Sequence, residues 1–222
     1  MAGKTPKTDR PTGRAAAAVL SKLAELYPRH PLNVTPREPF QVLVATILSS
    51  RTKDPTTNAA MDRLWPRASD PAGLLRLDVD ELAELIKPVG FYRNKAVQLH
   101  QMSRLLLDRY EGEVPRTRVD LMELPGVGRK VANLVLNICF ELPAICVDTH
   151  VHRLSNRLGW VETDTPEQTE QALEEIVPRR YWSTLNRVMV NHGQQVCNPV
   201  SPWCSKCPLA AKCPRTGVVK SR

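Results

Sequence analysis

Hydrophobic residues recur at helical spacing along nearly the whole chain. An Ala-rich amphipathic run predicts a helix from Arg14 to Leu26 that ends before Tyr27-Pro28. A second run, at about 40–49, is too apolar for an exposed helix and predicts a buried one. Alternating strand patterns and Asn-Gly hairpin turns are absent from the sequence. The pattern therefore predicts an all-α protein with short helices punctuated by prolines.

Polar residues and prolines predict where several further helices begin and end. Asp54-Pro55 opens a third helix, and the next one is expected to follow Asp80. A long amphipathic helix is predicted from Asn94 to Tyr110, with an apolar face of Val97, Leu99, Leu105 and Leu106. Thr165-Pro166-Glu167-Gln168 has the form of a capping box with proline in the first turn.

Length, charge and composition narrow the class of protein. The 222 residues suffice for one large or two small domains, and 42% hydrophobic with 24% charged residues is typical of a folded globular chain. A formal net charge of +8 favours a polyanionic partner. No apolar run approaches the roughly 20 residues of a membrane helix. Residues 1–14 are basic and lack an apolar secretory core, so we expect a flexible basic arm.

A Gly-x-Gly turn joins two predicted helices, at 118–124 and 129–140. Gly126 and Gly128 permit a tight turn and close backbone approach, and the N-terminus of the second helix suits a phosphate. A plain helical corner would have the same pattern. Lys130 follows in the first turn, where a cation is disfavoured by the helix dipole and by Arg129. Both effects favour a neutral, nucleophilic amine.

An aspartate follows the next apolar stretch. Asp148 precedes a helical pattern and is expected to cap that helix. The eight residues 141–148 can span up to about 26 Å, more than the roughly 16 Å rise of the helix at 129–140. The chain can therefore return and set the carboxylate opposite Lys130, in addition to its capping role. His150 and His152 are two residues apart and do not share a helix face, so neither is predicted to bind metal.

Four of the six cysteines lie close together near the end of the chain. Cys197, Cys204, Cys207 and Cys213 have the spacing C-x6-C-x2-C-x5-C. Without a secretion signal, a metal site is favoured over disulfides. One compact loop with this spacing can hold an iron–sulfur cluster, whereas structural zinc more often uses two separated pairs. Cys139 and Cys146 lie in apolar surroundings and are expected to be buried core residues.

The chain resembles endonuclease III, a family of bifunctional DNA glycosylases and abasic-site lyases in the helix–hairpin–helix superfamily. The resemblance runs from about residue 15 to 213. It is carried by LPGVGRKVAN, VDTHVHRLSNRLG and the cysteine spacing, with ILSSRTKD and VGFYRNKA earlier in the chain. It implies a six-helix, helix–hairpin–helix domain at 31–142. A second helical domain, 15–30 together with 143–222, would carry a [4Fe–4S] cluster.

The resemblance also implies roles for individual residues. Lys130 matches the nucleophile that attacks C1′ and forms a Schiff base, and Asp148 matches its activating carboxylate. The four clustered cysteines match the iron ligands. The implied contacts with duplex DNA are Gly126, Val127, Gly128, Arg129, Arg51, Phe91 and His150. The implied activity is removal of oxidised pyrimidines from duplex DNA followed by β-elimination. The chain is expected to act as a monomer in the bacterial cytoplasm. There it would associate with the nucleoid and not with a membrane.

Two of these positions depart from the family pattern. Arg51 stands where the family typically has glutamine, and Phe91 stands where it usually has a smaller aliphatic residue. The base preference of the family is therefore not predicted for this chain. Two other classes of protein are less consistent with the sequence. The adenine glycosylase branch usually lacks a lysine at the position of Lys130. A non-catalytic DNA-binding module would gain nothing from a carboxylate at Asp148 near phosphate.

Overall fold

The structure is a computed structural model that describes residues 13–32, 34–35 and 38–222. These residues form eleven α-helices and three short 3-10 helices and contain no β-strand, which confirms the predicted all-α class. The predicted flexible arm at 1–14 lies outside the described residues, except for Gly13 and Arg14, which begin the first helix. Of the helices described, none is long and apolar enough to cross a membrane.

The α-helices are α1 (Gly13–Leu26), α2 (Pro39–Ser49), α3 (Asp54–Leu64), α4 (Pro71–Arg76), α5 (Val79–Ile86), α6 (Tyr92–Tyr110), α7 (Arg118–Glu123), α8 (Arg129–Phe140), α9 (Thr149–Arg157), α10 (Pro166–Ile176) and α11 (Trp182–Gln195). The 3-10 helices are Arg179–Tyr181, Cys204–Lys206 and Ala210–Lys212.

The chain divides into two compact units. The hairpin unit is Pro31–Ala144, and the cysteine unit combines the segment that ends at His30 with Ile145–Arg222. The described part of the hairpin unit contains the seven helices α2 to α8, of which α4 and α7 have six residues each. The resemblance implied six helices. The short α4 is a separate helix because it has its own N-cap, Asp70, whose side chain accepts from the backbone N–H of Gly73.

Two predicted helix starts differ in detail from the structure. Helix α5 begins at Val79 rather than after Asp80, because Asp78 and Glu81 form a capping box. The Asp78 side chain accepts from the N–H of Glu81 at 2.7 Å, and the Glu81 side chain accepts from the N–H of Asp78 at 3.1 Å. Helix α10 has the predicted Thr165 cap, 3.2 Å from the N–H of Gln168. The Gln168 side chain, however, accepts from the N–H of Asp164 instead of completing the box.

The core of the hairpin unit is formed against one face of helix α6. Leu99, Met102 and Leu106 are fully buried on that face, at the i, i+3, i+7 spacing of an amphipathic helix. Val97 was predicted to share the apolar face, but it is 42% exposed. Its position on α6 lies on a different side of the helix from the buried face. Lys95, four residues before Leu99, falls on the buried stripe instead.

The cysteine unit has a separate apolar core, to which α1, α9 and α11 contribute. Its fully buried side chains include Leu20, Leu23, Val151, Leu185 and Met189. Helix α1 therefore packs with residues that come more than a hundred positions later in the sequence. The partly buried Cys197, Cys207 and Cys213 pack against the same core.

Candidate active site and candidate metal centre

The turn between α7 and α8 requires glycine at position 126, the first glycine of the Gly-x-Gly motif. Gly126 has φ +82°, in the left-handed region that favours glycine. A Cβ at this position would lie 3.0 Å from Oε1 of Gln98 and 3.4 Å from Ile47. The next side chain, Val127, is buried in the core of the hairpin unit. The turn is therefore held both by its backbone conformation and by packing.

The second glycine of the turn has a different environment. Gly128 is the N-cap of α8 and has φ −96°, which any residue can adopt. A Cβ built on Gly128 would meet no atom within 4 Å. Because glycine has no side chain, no side-chain hydrogen bond caps α8 here. Neither the backbone conformation nor the packing of the free protein requires glycine at this position, and the start of α8 is open to a close approach from outside.

Lys130 is the second residue of α8, as the sequence predicted, and is partly buried. Arg129 precedes it and is exposed. A further cation, the ammonium of Lys95, lies close enough for its charge to interact with that of Lys130. Lys130 thus lies in the first turn of a helix, at the positive end of its dipole, and its charge interacts with that of Lys95.

Arg51 and Phe91 belong to different loops of the hairpin unit and meet in the folded structure. The guanidinium of Arg51 lies over the Phe91 ring, 5.6 Å from its centroid. Both residues have left-handed backbone conformations, with φ of +53° and +58°. Phe91 is 60% exposed, which is unusual for so large an apolar side chain. The pair therefore presents a flat cation and an aromatic ring together at the surface.

The sequence interpretation missed Lys95, which is only 6% exposed. Its Nζ donates to the carbonyl oxygens of Leu48 at 2.8 Å and Ser50 at 2.6 Å, and to Oγ1 of Thr52 at 3.4 Å. Burial, and to a lesser degree the charge of Lys130, lowers the pKa of Lys95 to about 8. The available signal was its position, since a lysine four residues before Leu99 falls on the apolar face of α6.

Asp148 is the N-cap of α9, as predicted. Its Oδ1 accepts from the backbone N–H groups of both His150 and Val151, each at 2.9 Å. Because both bonds end on Oδ1, the second oxygen, Oδ2, takes no part in the cap. The residue is partly buried and belongs to the cysteine unit, whereas Lys130 belongs to the hairpin unit.

His150 is held by an arginine of the same helix. Nη2 of Arg153 lies 3.1 Å from Nδ1 of His150 and also donates to the carbonyl oxygens of Gly193 and Cys197. Since a guanidinium can only donate, Nδ1 of His150 accepts, and the ring proton resides on Nε2 in the neutral form. A Cβ on Gly193 would lie 2.6 Å from Nδ1, so this glycine leaves the space that the His150 ring needs.

The four clustered cysteines line one cavity of about 340 Å³, part of which is open to solvent. Arg157 and Arg215 also line it and bring positive charge to the thiols. Burial raises the pKa of the Cys207 and Cys213 thiols, and the negative charge of neighbouring cysteines raises it further. In the described ranges, no three His, Cys, Asp or Glu side chains converge closely enough to bind one metal ion.

Two residues outside the cysteine motif form hydrogen bonds with its sulfur atoms. Arg157 Nη1 is 3.4 Å from Sγ of Cys197 and also donates to the Asn198 carbonyl at 2.7 Å. His192 is 2% exposed, and its Nε2 lies 3.5 Å from Sγ of Cys207. Burial lowers the pKa of His192 to about 4, so the ring is neutral at neutral pH. Its Nδ1 is 3.2 Å from the Tyr27 hydroxyl.

The other two cysteines lie apart from this cavity. Cys146 is fully buried, as predicted. Cys139 is partly buried against the core of the hairpin unit, and burial raises its thiol pKa to about 12. At neutral pH Cys139 is therefore a neutral thiol, which agrees with its interpretation as an apolar packing residue.

Comparison with known proteins identifies the family. A family model described as "HhH-GPD superfamily base excision DNA repair protein" matches residues 44–179. The chain is 45% identical over 189 residues to endonuclease III of Thermotoga maritima, a match that covers 85% of this chain and 89% of that protein. It is 46% identical over 178 residues to endonuclease III-like protein 1 of Mus musculus, covering 79% of this chain and 59% of the mouse protein.

Solved structures agree with these relatives. A trapped endonuclease III–DNA covalent intermediate matches with a TM-score of 0.85 and 38% identity, covering 93% of this chain and 97% of that one. A thermostable thymine-DNA glycosylase matches with a TM-score of 0.80 and 25% identity, covering 91% of this chain and 97% of that one. The chain belongs to this superfamily of base-excision DNA repair proteins and, within it, to the endonuclease III family.

The two hydrogen bonds to Oδ1 predict how substitutions of Asp148 change stability. Asp148→Ala removes the cap and is expected to lower the free energy of unfolding by about 1 kcal/mol. Asp148→Asn keeps an oxygen at the same place, and asparagine caps helices about as well, so a much smaller loss is expected. Urea denaturation followed by circular dichroism measures both. Equal losses for the two variants would contradict a capping role.

Proposed function

We propose that the chain is a base-excision repair enzyme that removes oxidised pyrimidines from duplex DNA and then cleaves the abasic site by β-elimination. The observation that carries the proposal is the position of Lys130, in the first turn of a helix that begins at an open Gly-x-Gly turn. Membership of a DNA repair family supports it. So do the solved relatives, one of which is a trapped covalent intermediate with DNA.

In the proposed reaction, Nζ of Lys130 attacks C1′ of the damaged nucleotide. A C1′–N bond to the lysine forms as the glycosidic bond breaks and the base leaves. The deoxyribose ring opens to give a Schiff base between C1′ and Nζ. Loss of a proton from C2′ then expels the 3′ phosphate and cuts the strand, and water releases the lysine. Because a stacked base is out of reach, the nucleotide must first be extruded from the duplex.

Asp148 is proposed as the carboxylate that accepts the proton from the Lys130 amine and balances the positive charge that develops on the sugar. Its geometry supports a double role, since Oδ1 alone forms the cap of α9. The cap also fixes the side-chain rotamer, so the carboxylate keeps one orientation. A preoriented anion stabilises developing positive charge more effectively than a mobile one.

The hairpin residues are proposed to hold the DNA backbone. A phosphate oxygen at the start of α8 would accept from backbone N–H groups near Gly126, Val127 and Gly128, with Arg129 adding positive charge. Arg51 and Phe91 are proposed to contact the duplex where the nucleotide leaves it, and His150 to contact the same strand. The stacked, exposed guanidinium and ring support this role, because both groups can stack on bases.

The cysteine cavity is proposed to hold a [4Fe–4S] cluster through Cys197, Cys204, Cys207 and Cys213. Four thiols around one cavity match the all-thiolate ligand set of such clusters, and Arg157 would offset part of the negative charge. When bound, the cluster would cross-link the loop and stabilise the fold of this unit. We further propose that the enzyme acts on nucleoid DNA in the bacterial cytoplasm.

Borohydride trapping tests the proposed nucleophile. The wild type is expected to form a covalent adduct with abasic-site duplex DNA when the Schiff base is reduced, and Lys130→Ala to form none. Lys220→Ala, which removes an exposed lysine, serves as the control and should trap normally. Asp148→Asn is expected to keep its fold but to react about 10²–10⁴-fold more slowly. Undiminished trapping by Lys130→Ala would refute the assignment.

The open space at Gly128 gives a test of phosphate binding. Gly128→Ala is expected to lower the stability of the free protein by no more than about 1 kcal/mol, the advantage of glycine over alanine at a helix N-cap, because φ is −96° and no atom lies near the new methyl group. DNA affinity should fall by about tenfold or more, the value of one lost hydrogen bond to a charged group. Gly126→Ala is the matched control and should lower stability, since its φ is +82°. Unchanged affinity of Gly128→Ala, measured by fluorescence anisotropy, would contradict the proposal.

Metal analysis tests the cluster. Purified wild type is expected to contain iron and acid-labile sulfide in equal amounts and to absorb broadly in the visible range. Cys204→Ser should lose both, whereas Cys139→Ser, which changes a cysteine outside the cavity, should keep them. Stoichiometric zinc without sulfide would contradict the proposed cofactor.

A further inference from the structure

The buried ammonium of Lys95 binds the residues on both sides of Arg51. Its acceptors include the carbonyl of Ser50 and the hydroxyl of Thr52, the two residues that flank Arg51. The third acceptor, the Leu48 carbonyl, lies in the last turn of α2, where a cation also complements the helix dipole. All three donors of the ammonium are therefore directed at one short segment, 48–52.

The same segment is tied to the loop that carries Phe91. Oγ1 of Thr52 accepts from the backbone N–H of Gly90 at 3.0 Å and donates to the Ser50 carbonyl at 3.3 Å. A Cβ on Gly90 would lie only 2.7 Å from the Arg51 carbonyl oxygen, so the two loops are in close backbone contact. Thr52 is thus the common partner of Lys95 and of the Phe91 loop.

This network accounts for two uncommon backbone conformations. Left-handed φ angles are rare for residues other than glycine and persist only where the surroundings impose them. Arg51 and Phe91 both have them, and each follows a residue held in the network, Ser50 and Gly90 respectively. A buried lysine whose partners are all neutral is costly to desolvate, and a methionine would fill the space without that cost.

We infer that Lys95 is a positioning residue whose buried ammonium fixes the loop at 48–52 and thereby holds Arg51 and Phe91 in the stacked arrangement that enters duplex DNA. The inference rests on the proposed function. It assigns Lys95 an effect on steps that involve both DNA strands, namely extrusion of the nucleotide and recognition of the base left opposite. It assigns Lys95 no part in the attack by Lys130 beyond the charge repulsion between the two ammonium groups.

Lys95→Met tests the inference, with Arg104→Met as the control. Arg104 is exposed on the same helix, so the control removes the same charge without touching the loop. In the free protein, Lys95→Met is expected to accelerate hydrogen exchange at the amides of Thr52 and Gly90 about tenfold or more, because the loop opens more readily. Arg104→Met should not change it. This measurement requires no enzymatic activity and so remains informative if the proposed function fails.

Activity measurements separate positioning from a direct effect on the nucleophile. Lys95→Met should act about tenfold or more slowly on duplex DNA with a damaged base, yet cleave a single-stranded abasic oligonucleotide at close to the wild-type rate. In an Arg51→Ala background, Lys95→Met should have little further effect, since it acts through Arg51. Wild type that fails to cleave abasic-site duplex DNA would refute the proposed function instead, and leave the exchange result to decide the inference.

Three outcomes would overturn the inference. The first is unchanged hydrogen exchange at Thr52 and Gly90. The second is additivity of the Lys95 and Arg51 substitutions. The third is a loss of rate on the single-stranded abasic substrate as large as the loss on the damaged duplex, which would show that Lys95 acts on the attack by Lys130 and not through the loop. If Lys95→Met does not fold, Thr52→Val removes the shared hydroxyl with Lys95 intact and should give the same exchange and activity pattern.

Discussion

The start of helix α8 sets the conditions for the chemistry proposed here. An α-helix begins with backbone N–H groups that its own turns cannot satisfy, and its dipole makes that end positive. At α8 the N-cap is Gly128, which has no side chain to accept from these groups. At α9 the N-cap is Asp148, whose Oδ1 accepts from two of them. The N-terminus of α8 is therefore suited to an anion from outside the protein. The N-terminus of α9 instead orients the carboxylate of Asp148, an anion that the protein supplies.

Glycine therefore has two separate functions in the turn before α8. Gly126 makes the turn possible, because its positive φ and close neighbours exclude a side chain. Gly128 is not needed for the turn, and its value is the open surface that it leaves at the helix start. Lys130 follows in the same first turn, so a phosphate held at Gly128 and an attacking amine would be placed by a single element.

Each unit has a cation, buried at Lys95 and partly buried at Arg157, that binds backbone carbonyl oxygens. Lys95 binds the end of α2 and the loop that follows it, and Arg157 binds a cysteine sulfur and the carbonyl of Asn198. In each case a cation holds irregular backbone that has few hydrogen bonds of its own, because a side chain with several donors can satisfy several carbonyls at once. Irregular loops that carry functional residues are thereby kept in one conformation.

The sequence alone determined the features that depend on residues close together in the chain. The all-α class, the cap at Asp148, the start of α8 at Gly128 and the position of Lys130 within it were all predicted, because helix periodicity and capping act over a few residues. Some local details were wrong, such as the start of α5, where two acidic residues competed for the cap.

Contacts between distant positions were decided only by the tertiary structure. Lys95 binds residues 43 to 47 positions earlier, and Arg51 stacks on a ring forty positions away. His192 and Tyr27 meet beside Cys207 although 165 positions separate them. No local pattern specifies such partners, because they depend on how the helices pack. The sequence showed a lysine on an apolar face, and only the fold showed what its ammonium binds.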